Sequence, residues 1–151
     1  MALFTRKVDY ALVVLSYLHH RPEGGCARVI AERFGLKRAF AAKVLKQLCV
    51  AGFVRGRRGL KGGYVLSRLA DEIRLVELLD AMEEPFHLAD CNMPGNDPCE
   101  LIGTCPVSGA IAEVDRRVRS VLAAVTLGEL FREQSCGKTE YGLGLALVRK
   151  P

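Results

Sequence analysis

The sequence predicts a mainly α-helical fold that contains one small two-stranded hairpin and a long helix towards the C-terminus. Three features of the chain support this prediction. Apolar residues recur at i, i+3, i+4 and i+7 in several segments, which is the spacing that gives a helix one buried face. A glycine-rich basic stretch at 53–67 is flanked by β-branched and aromatic residues, which is typical of a hairpin. Apolar residues, mostly β-branched, then repeat every three or four positions along 107–125.

Three short helices are predicted in the first third of the chain, over 5–20, 27–34 and 37–51. Ala31 and Gly35 are four residues apart, so the second and third helices can cross closely at a tight turn. This spacing predicts a helix-turn-helix.

The third predicted helix has two different faces. The apolar face consists of Phe40, Ala41, Val44, Leu45, Leu48 and Cys49, and the opposite face carries Ala39, Lys43 and Lys46, with Lys37 and Arg38 at the N-terminal end. An exposed face of small side chains and long cations, in a helix without acidic residues, can approach a DNA major groove and contact phosphates. Cys49, like Cys26, is predicted to be a small buried apolar residue.

The basic hairpin follows this helix directly. Strands are predicted at 53–55 and 64–66, and the segment between them holds four glycines together with Arg57, Arg58 and Lys61. A nucleotide-binding loop is excluded because no GxxxxGK(S/T) sequence is present and no helix begins directly after the glycines. The arrangement predicts a winged helix-turn-helix, with Arg58 placed to enter a minor groove.

The second half of the chain is predicted to pair two copies of the protein. An acidic amphipathic helix is expected at 71–84, a long helix at 107–125, and a short helix after Thr126, with Glu129 as its capping-box partner. The long helix carries an apolar seam made of Val107, Ile111, Val114, Val118, Val121 and Val125. Because β-branched residues in such a seam favour two-stranded pairing, this long C-terminal helix is predicted to be a dimerisation helix.

These elements divide the chain into a DNA-binding part (1–68), a cysteine-loop and dimerisation part (69–134) and a flexible tail (135–151). Residues 1–68 contain 14 Lys and Arg against 3 Asp and Glu, a net charge of +11, whereas 69–151 carry a net charge of −6. A strongly basic half predicts a polyanionic partner. No catalytic constellation is visible, so the chain is predicted not to be an enzyme. The absence of a long apolar run and of a signal peptide predicts a cytoplasmic protein without membrane contact.

The segment Cys91–Cys105 holds three cysteines at a C-x7-C-x5-C spacing among Gly, Pro, Asn and Asp. Such a loop has no apolar core, so a ligand on the three sulfurs would order it. Three interpretations of the cysteines are consistent with the sequence. They could bind an iron–sulfur cluster, which tolerates one non-Cys ligand. They could bind a zinc ion whose site is completed by His87 or Cys136, or they could remain metal-free and sense oxidants by forming disulfides.

Together these features resemble the Rrf-two family of bacterial transcription regulators, which includes IscR-like and NsrR-like members. The resemblance covers about residues 2–134 and rests on FTRKVDYAL, IAERFGLKRAFAAKVLKQL, the wing RGRRGLKGGYVLS, the triple cysteine and TLGEL. It implies a homodimeric winged helix-turn-helix protein with an iron–sulfur cluster on the three loop cysteines, in which the cluster state sets DNA affinity.

The sequence departs from the family pattern at two places. The first cysteine gap is seven residues where five is usual, and Ser108 stands where IscR-like members have a His ligand. NsrR-like members imply a different fourth ligand, an acidic residue in the first helix of the partner subunit, and this position corresponds to Asp9. We therefore expect Asp9 of the partner subunit to complete the site, with His87, Asp90 and Cys136 as the other candidates.

The sequence thus predicts a homodimeric transcription repressor that binds a palindromic operator in double-stranded DNA. It would sense redox, nitric oxide or iron status through a 2Fe–2S or 4Fe–4S cluster. The predicted DNA contacts are Lys37, Arg38, Ala39, Phe40, Lys43, Lys46, Arg57, Arg58 and Lys61, and the predicted cluster ligands are Cys91, Cys99, Cys105 and Asp9. An iron–sulfur redox carrier is the alternative from another class, and such a carrier would not bind DNA at physiological salt.

Overall fold

The structure is a computed structural model that describes residues 5–59, 62–82, 87–89, 91, 99–101 and 103–132. The predictions made for Lys61, Asp90, Cys136 and the tail 135–151 lie outside these residues. The elements are α1 (Arg6–His19), α2 (Ala27–Phe34), α3 (Arg38–Val50), β1 (Val54–Arg57), β2 (Gly63–Leu66), a 3-10 turn (Ala70–Glu72), α4 (Leu75–Ala81), α5 (Ser108–Ala124) and α6 (Leu127–Phe131). The predicted mainly helical fold with a two-stranded wing is confirmed.

One hydrophobic core joins the two halves of the described chain. Val8, Ala11, Leu15 and Leu18 of α1 are buried, and the core continues through α3 to Ile73, Leu78 and Leu79 around α4. Leu127 and Phe131 of α6 close the same cluster. The N-terminal helices and the C-terminal helices therefore share one core. None of the helices among the described residues is long and apolar enough to cross a membrane.

The turn between α2 and α3 forms as the Ala31 and Gly35 spacing predicts. Gly35 has a φ of 63°, a left-handed conformation that favours glycine, and it ends α2. The Leu36 amide donates a 2.8 Å hydrogen bond to the Ala31 carbonyl, which closes the turn. Ala31 itself is buried, and its small side chain lets α2 and α3 pack closely.

The wing is tied to the start of the helix-turn-helix. β1 and β2 pair antiparallel, with Val54 opposite Leu66 and Arg57 opposite Gly63. Tyr64 exchanges two backbone hydrogen bonds of 2.9 and 3.0 Å with Gly25, just before α2. A Cβ at Gly63 would lie 2.7 Å from the Gly25 carbonyl, so glycine is needed for this close approach. The wing is thereby fixed beside α3.

The prediction of one helix over 71–84 is wrong in its N-terminal part. A 3-10 turn ends at Glu72, Ile73 is extended, and α4 begins only at Leu75. Non-local hydrogen bonds explain the break: the Leu127 amide donates to the Ile73 carbonyl (2.8 Å), and the Leu75 amide donates to the Val125 carbonyl (2.9 Å). These bonds hold the start of α6 against the start of α4. The expected capping box of α6 is confirmed, since the Glu129 amide donates to Thr126 Oγ1 (3.2 Å) and the Thr126 amide to Glu129 Oε2 (2.8 Å).

Candidate DNA interface and cysteine loop

The outward face of α3 is made of small residues and cations, as the sequence predicts. Ala41, Val44, Leu45 and Leu48 are buried, whereas Lys37, Arg38, Ala39, Ala42, Lys43 and Lys46 are exposed. A helix with this exposed face fits a major groove because its small side chains permit close approach while its cations reach phosphates.

Phe40 stands at the edge of this face rather than fully in the core. It is half-buried, and its ring packs edge-to-face on Tyr10 of α1 with the centroids 5.0 Å apart. Phe40 also borders a surface groove that contains Lys7, Lys43 and Lys46. This edge-to-face contact joins α1 to α3, so α1 takes part in positioning the predicted DNA-reading face.

The two cysteines outside the loop are less buried than predicted. Cys49 is exposed on α3, which corrects its assignment to the apolar face, and Cys26 is half-buried. Cys26 occupies the N-cap of α2, where a hydrogen bond from the Val29 backbone amide lowers the pKa of the Cys26 thiol. A period of 3.6 residues places Cys49 at the margin of the apolar stripe, and this margin is not covered by any element of the described part of the chain.

The wing presents its cations to solvent. Arg55, Arg57 and Arg58 are exposed, and Arg57 donates a 3.4 Å hydrogen bond to the Glu23 carbonyl. Gly59 has a φ of 121°, a conformation that L side chains rarely adopt, and its carbonyl accepts the Gly62 amide at 2.8 Å. The glycines therefore shape a narrow tip that carries Arg58.

The cations of α3 and of the wing differ from those of the second half in their partners. Among the described residues, no cation of α3, β1 or the wing tip is in an ion pair. In the second half, Arg116 and Arg117 both pair with Glu113, and their hydrogen bonds lower the pKa of Glu113 to about 2. Arg119 pairs with Asp80 of α4 at 3.0 Å, and Arg132 pairs with Asp71 at 2.7 Å. Unpaired cations on one face create a positive potential that favours a polyanion.

Helix α5 exposes one row of its predicted seam. Val107, Val114 and Val121, which are seven residues apart, are 51%, 49% and 64% exposed. Val118 and Val125 belong to the other row and pack against the chain's own core. Only Leu122 and Asp115 of α5 are buried. A helix of 17 residues with so little buried surface and an exposed valine row has an apolar surface available for a partner.

The three loop cysteines lie between α4 and α5. Cys91 and Cys105 are half-buried, and Cys99 is exposed. The Cys105 amide donates a 2.7 Å hydrogen bond to the Leu101 carbonyl, and Ser108 Oγ donates to the Cys105 carbonyl at 3.2 Å. These bonds attach the last cysteine to the first turn of α5.

The structure does not bring the three sulfurs together. Within the described part of the chain, no three His, Cys, Asp or Glu side chains lie close enough to share a metal ion. The donor set nevertheless suits an iron–sulfur cluster in its chemistry, since three cysteines can supply thiolate ligands, two of them are half-buried and the segment is rich in turn residues. The residues fit such a group as ligands.

The candidate fourth ligands differ in their surroundings. Asp9 is exposed in the first turn of α1, and it forms no ion pair with the described residues of its own chain. His87 is buried instead, and its Nδ1 lies 3.6 Å from Asp115 Oδ2 of α5. Asp9 is therefore accessible to a second subunit, while His87 faces its own chain.

Asp115 is a residue that the sequence reasoning missed. It is the one charged residue that is buried among the described residues, with 6% of the whole residue exposed. Its burial could have been predicted from the spacing of residues in α5. Asp115 lies seven residues before the buried Leu122 and therefore shares its face of the helix.

Comparison with known proteins identifies the family. The family model described as "Rrf2: Iron-dependent Transcriptional regulator" matches residues 4–133. The chain is 31% identical over 130 residues to Protein aau3 of Rhizobium meliloti (strain 1021), covering 85% of this chain and 84% of that protein.

Two solved structures have the same fold. One is CymR (YrzC), the global cysteine regulator of B. subtilis, with a TM-score of 0.67, 23% identity, and coverage of 87% of this chain and 97% of CymR. The other is T. potens IscR, with a TM-score of 0.62, 23% identity, and coverage of 84% of each chain. Rrf2 regulators bind DNA and are typically dimeric. The chain therefore belongs to the Rrf2 family and is a transcription regulator, not an enzyme.

Proposed function

We propose that this regulator is a homodimeric repressor whose affinity for a palindromic operator is set by an iron–sulfur cluster on Cys91, Cys99 and Cys105. The observation that carries the DNA-binding part is the row of exposed cations on α3 and the wing, none of which is in an ion pair among the described residues, whereas Arg116, Arg117, Arg119 and Arg132 of the second half are paired with acids. A protein that binds an operator works where the DNA is, so we place it in the cytoplasm.

The DNA contacts follow from the orientation of α3 and the wing. Ala39 and Ala42 let α3 approach the base edges, while Lys43 and Lys46 reach phosphates on the groove walls. Arg58 at the wing tip enters the adjacent minor groove, where narrow A·T tracts attract a guanidinium. The remaining contacts come from Lys37, Arg38, Phe40, Arg57 and Lys61.

The exposed valine row of α5 supports the homodimer. Val107, Val114 and Val121 repeat at the heptad interval, and the same row on a second copy offers the matching surface. Two-fold pairing through α5 would place the two α3 helices on one face of the duplex. The operator is then expected to be palindromic, with half-sites one or more helical turns apart.

The cluster ligands proposed for this chain are the three loop thiolates and Asp9 of the partner subunit. When bound, such a cluster supplies a centre that responds to redox state, nitric oxide or iron supply. Ser108 at the start of α5 donates a hydrogen bond to the Cys105 carbonyl. Binding of a ligand to the Cys105 thiolate would therefore affect the position of α5. A carboxylate from the partner's α1 would be a labile ligand, and it would link the loop of one subunit to the DNA-reading half of the other.

A thiol-based switch of the same fold is the second candidate. The similarity to CymR, which is the global cysteine regulator of B. subtilis, and the presence of three cysteines in one short segment favour it. In that case the loop cysteines would respond to oxidation without metal.

Anaerobic purification followed by iron, zinc and sulfide analysis separates the two candidates. We expect iron and sulfide with visible absorption in the wild type, and loss of both when Cys91, Cys99 and Cys105 are replaced by serine. Cys49→Ser is the matched control, since Cys49 is an exposed cysteine outside the loop. DNA binding is measured with a duplex that the protein selects from a random-sequence library. The affinity of the protein for this duplex is determined before and after a chelator removes the metal. Colourless or zinc-loaded wild-type protein, or equal affinity in both states, contradicts the proposal.

A further inference from the structure

Asp115 occupies an unusual position for a charged residue. It lies in the middle of α5, and its side chain is 9% exposed. An ionised carboxylate in such a place is stable only when polar groups compensate for the lost water. The groups that surround Asp115 therefore indicate its role.

Both compensating groups come from the segment that leads into the cysteine loop. The Leu88 backbone amide donates a 2.6 Å hydrogen bond to Asp115 Oδ1. His87 Nδ1 lies 3.6 Å from Asp115 Oδ2, and the His87 side chain is also 9% exposed. Neither ring nitrogen of His87 has a hydrogen-bond partner among the described residues, so Asp115 is the polar group it faces. One carboxylate thus binds the Leu88 amide and faces the ring of the preceding residue, His87.

The attachment limits where Cys91 can lie. Cys91 follows Leu88 by three residues, and three residues span at most about 11 Å. Asp115 is also the direct neighbour of Val114, a member of the exposed valine row. The carboxylate therefore contacts the segment that leads to the first loop cysteine, from a residue adjacent in sequence to the exposed valine row.

We propose that Asp115 is a positioning residue of the cysteine loop: its carboxylate fixes residues 87 and 88 on α5 and thereby sets the place of the Cys91 thiol. The identity of the ligand on the sulfurs rests on the proposed function, whereas the contacts of Asp115 do not. The position of Cys91 and the position of α5 are then coupled, so a change at the sulfurs is passed to the dimer helix.

Two substitutions separate the two contacts. Asp115→Asn keeps an oxygen that can accept the Leu88 amide but changes the group that faces His87, and Asp115→Ala removes both contacts. Asp80→Asn is the matched control, because Asp80 also binds α5, through Arg119, but from α4 and in an exposed position. The thermal unfolding midpoint is recorded for every variant.

The first readout is hydrogen exchange of the Leu88 amide in metal-free protein. We expect exchange to be at least about tenfold faster in Asp115→Ala, to change less in Asp115→Asn, and to match the wild type in Asp80→Asn. The second readout is the rate at which a chelator removes iron from anaerobically loaded protein. We expect at least about tenfold faster release in Asp115→Ala and a smaller increase in Asp115→Asn.

The outcomes separate failure of this proposal from failure of the proposed function. Faster Leu88 exchange with unchanged iron release means that Asp115 is only structural, and this overturns the proposal. If the wild type takes up no iron, the proposed cluster is wrong, and alkylation of Cys91 relative to Cys99 becomes the second readout. A changed ratio in Asp115→Asn then supports positioning, and an unchanged ratio overturns it. If Asp115→Ala does not fold, Asp115→Asn and His87→Gln carry the same comparison.

Discussion

Removing Lys43 and Lys46 together is the sharpest perturbation of the proposed DNA interface. Both residues are exposed on α3, and neither is in an ion pair among the described residues. The pair Lys43→Gln/Lys46→Gln therefore removes two charges per chain without breaking an internal salt bridge. It leaves the buried face of α3 intact, so the fold and the cysteine loop should be unaffected.

The magnitude follows from counterion release. Each phosphate contact contributes about 0.9 to the slope of log K against log salt, so four lysines in a dimer contribute about 3.6. The counterion contribution vanishes at 1 M salt and grows as the salt concentration falls. At 0.15 M salt, loss of the four lysines is therefore expected to lower the DNA affinity about a thousandfold. The expected result is a weaker and less salt-dependent complex.

Fluorescence anisotropy with a selected duplex at several salt concentrations measures both quantities. The matched control is Arg116→Gln/Arg117→Gln, which removes the same charge from a region where the arginines are paired with Glu113. The control should keep the wild-type slope, and the iron content of both variants should equal that of the wild type. A lysine variant with the wild-type slope and affinity would refute the placement of the DNA-reading face on α3.

Three further predictions concern the dimer, the fourth ligand and the core. Val114→Glu/Val121→Glu should weaken the dimer by more than about a hundredfold in analytical ultracentrifugation, because each charge would be buried unpaired in the α5 interface; an unchanged dimer would place the interface elsewhere. Asp9→Ala should reduce iron retention and alter the visible spectrum while far-UV circular dichroism stays the same, and an unchanged spectrum would remove Asp9 from the site. Leu127→Ala should lower the free energy of unfolding by about 2–5 kcal/mol, since Leu127 is fully buried, whereas the exposed Leu130→Ala should change it by less than about 1 kcal/mol in urea titrations.

Local patterns in the sequence predicted the DNA-binding half well. The bounds of α1, α2 and α3 were predicted to within one residue, because each helix has a continuous apolar stripe and a defined end. The turn at Gly35 and the wing were also confirmed, since both depend on glycines whose backbone conformation is a local property.

Non-local contacts explain what the sequence did not predict. The break before α4 arises from hydrogen bonds between Ile73, Leu75 and residues some fifty positions later. Periodicity places Asp115 on the same face of α5 as Leu122, but it does not identify the Leu88 amide, which comes from another segment, as the partner of the carboxylate. The apolar seam of α5 divides into two rows, because one row packs against the core of its own chain and the other row is exposed. Periodicity alone does not show which row packs internally and which remains available to a partner.

If an iron–sulfur cluster on the three loop thiolates sets DNA affinity, metal content and operator binding must change together. Iron, sulfide and operator affinity are therefore determined on one anaerobic sample, before and after removal of the metal by a chelator. We expect bound iron and sulfide with visible absorption, and an operator affinity that changes when they are removed. Protein that holds zinc or no metal, or that binds its operator equally in both states, would contradict it.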